Sequence, residues 1–156
     1  MLIHSKREQD TEKLAGYLAG KILRGGTRNR AVVMSLIGPL GAGKTHFTKA
    51  FMRALGIEDT ITSPTFNIMK IYEIPVKTKN SKLKNQNWFR SAYHIDAYRI
   101  KSHDLLKLGF EEIIKDPANI VLIEWADIVK DILPAGAINI EIGHGKVEGE
   151  REIKLA

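Results

Sequence analysis

Cysteine is absent from the 156 residues. That excludes disulfides and thiolate metal sites, and it fits a reducing compartment. Also missing is any apolar run long enough to cross a bilayer. The first residues, MLIHSKREQD, lack the apolar stretch of a signal peptide. A cytoplasmic protein with no membrane attachment is expected. No internal repeat and no linker is visible, and the length favours one domain over 1–156. Acidic residues are the minority, 18 against 24 lysines and arginines, for a net charge of +6. A basic balance suits polyanionic partners such as nucleotides, RNA or an acidic protein surface. Part of the excess lies in KTKNSKLKN, through Lys77, Lys79, Lys82 and Lys84. A solvated loop is the plain reading of that segment, and a contact for RNA phosphates is the functional one.

What is present reads as alternating helices and buried strands. DTEKLAGYLAGKIL (10–23) sets Leu14, Tyr17, Leu18 and Ile22 at helical spacing, with two glycines beyond its end. AVVMSLI (31–37) is a short β-branched run, which predicts a buried strand. THFTKAFMRALG (45–56) places Phe47, Ala50, Phe51 and Leu55 on one helix face, closed by Gly56. FNIMKIYEI, RSAYHID and NIVLIEW read as further strands. HDLLKLGFEEII reads as two short helices broken near Gly109, and AINIEIG with REIKLA as a terminal hairpin. The expected class is α/β: a P-loop NTPase-like three-layer fold with a mixed, partly parallel central sheet.

The junction between the first clear strand and its helix is GPLGAGKT (38–45). Gly38, then Gly43, Lys44 and Thr45, match G-x-x-x-x-G-K-[ST] in the required strand–loop–helix context. Glycines let backbone N–H groups turn towards phosphate oxygens with no Cβ in the way. The helix that follows turns its positive end to the same place. Lys44 has the length to reach the β and γ phosphates, and Thr45 offers a hydroxyl to Mg²⁺.

A second anchor for that metal should come from an acid at a neighbouring strand end. Asp96 closes AYHID and Glu124 closes IVLIE. Either could face Mg²⁺ directly or through water, and one could orient the attacking water. In ITSPTF, Thr62, Ser63 and Thr65 are candidates for sensing a γ-phosphate, against the plainer reading of a turn into a strand. Trp125 follows Glu124. If the strand continues regularly, alternation turns Trp125 away from the metal into the core. If the chain turns there, the indole lines the nucleotide pocket or a partner surface.

Further absences narrow the class. No N/T-K-x-D element for reading guanine is present, and Asp96 is not followed by the glycine of a D-x-x-G switch. The arginine pairs of a small-molecule kinase are missing: Arg99 stands alone and the next arginine is Arg151. A small ATPase acting on a partner fits best. Alternatives are a binding module with incidental hydrolysis and a small-molecule P-loop kinase. Partner-stimulated phosphate release without an acceptor discriminates the first from both.

The ordered set GPLGAGKT, TSPTF, HIDAYR, LGFEEI, LIEW and a late arginine resembles the TsaE family, bacterial ATPases of tRNA threonylcarbamoyladenosine biosynthesis. The resemblance runs from about Thr11 to Arg151. It implies ATP and Mg²⁺ as cofactors and a pair of protein partners, TsaD and TsaB, which the ATPase binds and resets. Contact with tRNA would then be indirect, unless the lysine segment supplies it. By position, Gly41, Ala42, Gly43, Lys44 and Thr45 would wrap the phosphates. Thr45 and Glu124 would hold the metal, and Asp96 would sit by the γ-phosphate or its water. The catalytic set is then Lys44, Asp96 and Glu124, with Thr11 and Arg151 near the nucleotide. His46 stands where a second threonine is usual, Ala126 where proline is usual, and the 75–90 segment is longer than the family's.

Overall fold

The molecule, a computed structural model described over residues 1–64, 67–76 and 89–156, is built around one seven-stranded sheet. The strands are β1 (Leu2–Ser5), β2 (Val32–Ile37), β3 (Met69–Glu73), β4 (Ser91–Asp96), β5 (Asn119–Glu124), β6 (Ile138–His144) and β7 (Arg151–Leu155). Their order across the sheet is β1-β7-β6-β2-β5-β4-β3. The four central strands, β6, β2, β5 and β4, run parallel. β3 is antiparallel to β4, and β7 joins β6 and β1 antiparallel at the other side. The expected mixed sheet with a parallel centre is therefore present. Every residue of β5 is buried, as a strand covered on both faces requires.

Alternation along the strands divides the core in two. Val32, Met34 and Leu36 of β2, with Ile120 and Leu122 of β5, pack under α1 (Glu8–Leu23) and α2 (Lys44–Ala54). Val33, Val121 and Ile123 face the other way, against Leu105 of α3 (Ser102–Lys107) and Phe110 of α4 (Phe110–Lys115). A 3₁₀ helix, Ala126–Ile132, completes that second layer with Val129. Three layers result, as the periodicities imply. Phe47 and Phe51 are wholly buried, with ring centroids 6.3 Å apart. They pin α2 to the sheet, and truncating either to alanine should cost roughly 3–5 kcal/mol.

The helix of 103–114 is broken as expected, with Gly109 at φ +84° between α3 and α4. Other expectations need correction. Tyr17 is 57% exposed; the buried stripe of α1 runs through Thr11, Leu14, Ala15, Ala19 and Ile22. Ile71 on edge strand β3 is exposed, while Tyr72 and Ile74 turn inwards. β1 and the 3₁₀ helix have no counterpart in the sequence reading. β1 is four residues held by pairing with β7, from the far end of the chain, and local sequence carries no sign of that. Thr65, Phe66 and the lysines 77, 79, 82 and 84 lie outside the described residues. No helix among the described residues is long and apolar enough to cross a membrane.

Candidate nucleotide and metal site

β2 ends at Ile37, and the chain then folds back as a glycine loop before α2 begins at Lys44. Gly38, Gly41 and Gly43 have φ of +153°, +75° and +104°. A side chain resists such values, so three of the four glycine and alanine positions in the loop are set by backbone shape. Gly38 has a second reason: a Cβ there would lie 2.0 Å from the carbonyl oxygen of Ile142 on β6.

Lys44, first residue of α2, is buried. Its Nζ donates to the carbonyl oxygens of Gly38 at 2.6 Å and Pro39 at 3.0 Å. It also lies 3.7 Å from the centroid of the Trp125 ring. Burial holds its pKa below the usual 10.5, with the carboxylates of Glu124, Asp127 and Asp96 pulling it back up. A cation kept dry and hydrogen-bonded only to neutral carbonyls among the described residues gains from an arriving polyanion.

Next to it, the Thr45 hydroxyl donates to Glu124 Oε2 at 2.8 Å. This contact spans 79 residues and joins the start of α2 to the end of β5. Asp96 and Glu124 are directly opposed in the parallel pairing of β4 and β5, so both acids project from the same face at adjacent strand ends. Asp96 Oδ1 accepts the backbone N–H of Tyr98 at 3.0 Å, and Oδ2 accepts the Ser63 hydroxyl at 3.4 Å. Among the described residues 61–64, Ser63 meets a strand-end acid, while Thr62 receives a contact from Lys70.

A cavity of about 320 Å³ is bounded by these groups: Lys44, Thr45, Ser63, Asp96, Glu124 and Trp125 among them. Sites for small ligands usually fall in this range or above it. Three larger hollows, of about 1070, 640 and 480 Å³, lie at the opposite strand ends near Thr27, Arg28 and Arg30 and hold none of these residues.

Trp125 corrects the first of the two readings made for it. The strand stops at Glu124, and Trp125 takes φ 58°, ψ 39°, the one non-glycine left-handed residue among those described. The turn sends its ring over Lys44 and to within 4.8 Å of the Tyr98 ring. Arg151, at the start of β7, reaches the glycine loop: Nε donates to Ala42 O at 2.8 Å and Nη2 to Gly41 O at 3.2 Å. Thr11 is not brought to the cavity. It is buried on α1 with its hydroxyl paired to Ser5 at 2.8 Å. His46 borders the cavity, its Nε2 3.6 Å from Glu12 Oε1.

Sequence reading missed His94. Its Nε2 lies 2.7 Å from Glu124 Oε1, and both residues are buried. The available signal was its place two residues before Asp96 on a strand, which puts the two side chains on one face.

A family model described as "Threonylcarbamoyl adenosine biosynthesis protein TsaE" matches residues 5–153. The chain is similar to the tRNA threonylcarbamoyladenosine biosynthesis protein TsaE of Treponema pallidum, 33% identical over 153 residues and 97% of each chain. It is 37% identical over 139 residues to the Rickettsia felis protein of that name, covering 86% of this chain and 69% of the other. Against the one from Bacillus subtilis it is 36% identical over 121 residues, 78% of this chain and 66% of the other. Among solved structures, Bacillus subtilis YdiB superposes with a TM-score of 0.70 at 29% identity, over 99% of this chain and 83% of that one.

Proposed function

Since the chain belongs to the TsaE family of threonylcarbamoyl adenosine biosynthesis proteins, we propose that it is a Mg²⁺-dependent ATP hydrolase that binds and resets the TsaD–TsaB pair during tRNA modification. The observation that carries the reading is the Thr45–Glu124 contact beside a buried, loop-held Lys44. The donor set fits magnesium. It is a hydroxyl and a carboxylate, both hard oxygens. Mg²⁺ is commonly held by one or two protein oxygens, with waters and phosphates filling the rest. When bound, it would neutralise charge growing on the β- and γ-phosphate oxygens.

The chain's own residues divide the remaining work. The backbone of Gly41, Ala42 and Gly43 cradles the phosphates at the positive end of α2. Lys44 leaves its loop carbonyls for the β and γ phosphates. Thr45 and Glu124 would hold the metal. Asp96, steadied by Tyr98 N–H and Ser63, orients the attacking water. Arg151 braces the loop from outside. Leu40, at the loop tip, is 78% exposed, and Tyr98 is also exposed beside the cavity. An apolar rim at the mouth of a nucleotide site supports a protein surface as the receiver of the hydrolysis signal. Transfer RNA then reaches the chain through its protein partners, in the cytoplasm.

The test is phosphate release from Mg-ATP by the chain alone and with TsaD and TsaB, beside a pull-down with and without ATP. Slow release that the partners accelerate, with no phosphorylated acceptor, is expected. Label appearing on a small-molecule acceptor would overturn the reading in favour of a kinase. ATP binding and partner capture with no release at all would leave a binding module.

A further inference from the structure

We propose that His94 is the positioning residue for the Glu124 carboxylate, fixing which oxygen is offered at the metal edge of the site. The inference rests on the reading of Thr45 and Glu124 as the magnesium pair, and goes beyond it to a residue that touches neither metal nor nucleotide. His94 is 0% exposed, so it acts through its neighbour. Its Nε2 holds Glu124 Oε1 at 2.7 Å, while Glu124 Oε2 accepts the Thr45 hydroxyl at 2.8 Å. The carboxylate is gripped at one oxygen and committed at the other.

The physical need is plain from the side chain. The terminal torsion of a glutamate is broad and nearly two-fold, so an unheld carboxylate exchanges its oxygens freely. Glu124 is 2% exposed, and a buried carboxylate oxygen with no donor is costly. His94 removes both problems with one N–H. Register explains how it can. His94 faces Leu122 in the parallel pairing, and Asp96 faces Glu124. The ring therefore sits one side-chain step below the acid pair on the same face, pointing up at Oε1.

The geometry also assigns the tautomer. His94 Nδ1 is buried and has no hydrogen-bond partner among the described residues. A proton there would be a stranded buried donor. A carboxylate accepts and does not donate when ionised. The proton therefore sits on Nε2, donated to Glu124, and Nδ1 keeps a bare lone pair. Groups that orient a metal ligand from behind typically govern metal affinity by about 10- to 100-fold.

Three substitutions separate positioning from packing. His94→Gln puts an N–H at about the depth of Nε2. His94→Leu keeps bulk without a donor, and His94→Asn carries its N–H too short to reach Oε1. The readout is the gain in affinity for a non-hydrolysable ATP analogue, AMP-PNP, on adding Mg²⁺ to protein in EDTA, measured by calorimetry. The gain should fall about 10-fold or more in His94→Leu and His94→Asn and be largely restored in His94→Gln. Affinity in EDTA should hold within about twofold throughout.

A full gain in His94→Leu, or a loss in His94→Gln equal to that in His94→Leu, would overturn the inference. A wild-type chain that binds AMP-PNP with no Mg²⁺ gain would overturn the magnesium reading itself, and the inference with it. Where His94→Leu does not fold, long-range ¹H–¹⁵N correlation on the wild-type histidines decides: an Nε2–H pattern for His94 is expected, and an Nδ1–H pattern would overturn the assignment.

Discussion

The ammonium of Lys44 rests 3.7 Å from the centre of the Trp125 ring, while two carbonyls of its own loop, Gly38 and Pro39, take its hydrogen bonds. The cation is thus held by neighbours that a phosphate chain has to displace. The holding contacts are neutral, and an anion offers the stronger charge-assisted bond. The left-handed turn at Trp125 is what brings the ring there, so the first residue after β5 belongs to the site as much as the last residue within it.

That contact can be read optically. The chain has two tryptophans, Trp88 and Trp125. In a Trp88→Phe background, ATP should change Trp125 emission in a saturable way as the ammonium leaves the ring, with a midpoint equal to the calorimetric Kd. Unchanged emission at calorimetric saturation would mean that Lys44 stays on the indole in the complex.

Lys44 should also set an alkaline limit. Burial holds its pKa below 10.5, which means the charged form is disfavoured in the empty protein. Its unfavourable contribution to folding is present when it is charged, and is relieved as pH rises through the lowered pKa towards 10.5. Bound phosphate favours the charged form, so binding takes up a proton and ATP affinity should fall with rising pH before 10.5 is reached. Calorimetry from about pH 7 to about pH 10 should show that decline in the wild type and a flat profile in Lys44→Arg. Lys44→Ala should lose roughly 10–100-fold in affinity at neutral pH with little change in Tm.

The loop glycines should differ in how much they tolerate. In Gly38→Ala, the new Cβ meets backbone, the Ile142 carbonyl oxygen at 2.0 Å and its carbon at 3.1 Å. Neither can step aside without disturbing β6, so a loss of roughly 2 kcal/mol or more is expected. Gly41→Ala meets nothing closer than the His144 side chain at 3.9 Å and bears the left-handed backbone cost alone, about 1–2 kcal/mol. Thermal melts should rank Gly38→Ala well below Gly41→Ala. Equal Tm values would count against the packing of the loop on β6.

Arg151 ties the terminal hairpin to the loop through Ala42 and Gly41. Arg151→Ala should weaken ATP binding about 5- to 10-fold with or without Mg²⁺, since it acts on the loop and not on the metal pair. Arg151→Lys should not recover it, because one ammonium cannot reproduce the guanidinium fork. A defect confined to Mg²⁺-containing buffer would contradict the bracing role.

Much of this molecule is written locally. The β-branched run before GPLGAGKT, the helical spacing after it, and acids closing two apolar stretches are all short-range patterns. Strand, loop, helix and the pair Asp96 and Glu124 follow from periods of two and 3.6 residues and from glycine's freedom at positive φ. Other features depend on which strands become neighbours. Thr45 meets Glu124 because β5 lies beside β2. Arg151 reaches the loop because β6, which pairs with β7, flanks β2 on the other side. His94 looks like any buried strand residue until β4 docks against β5 and sets its ring beneath the carboxylate. Trp125 joins the site because the chain turns one residue after Glu124, and Tyr17 stays exposed because α1 buries a different stripe. Local periodicity assigns each side chain a face. Sheet order, decided by non-local hydrogen bonding and by burial on both faces, assigns it a neighbour, and the chemistry of this site lies in the neighbours.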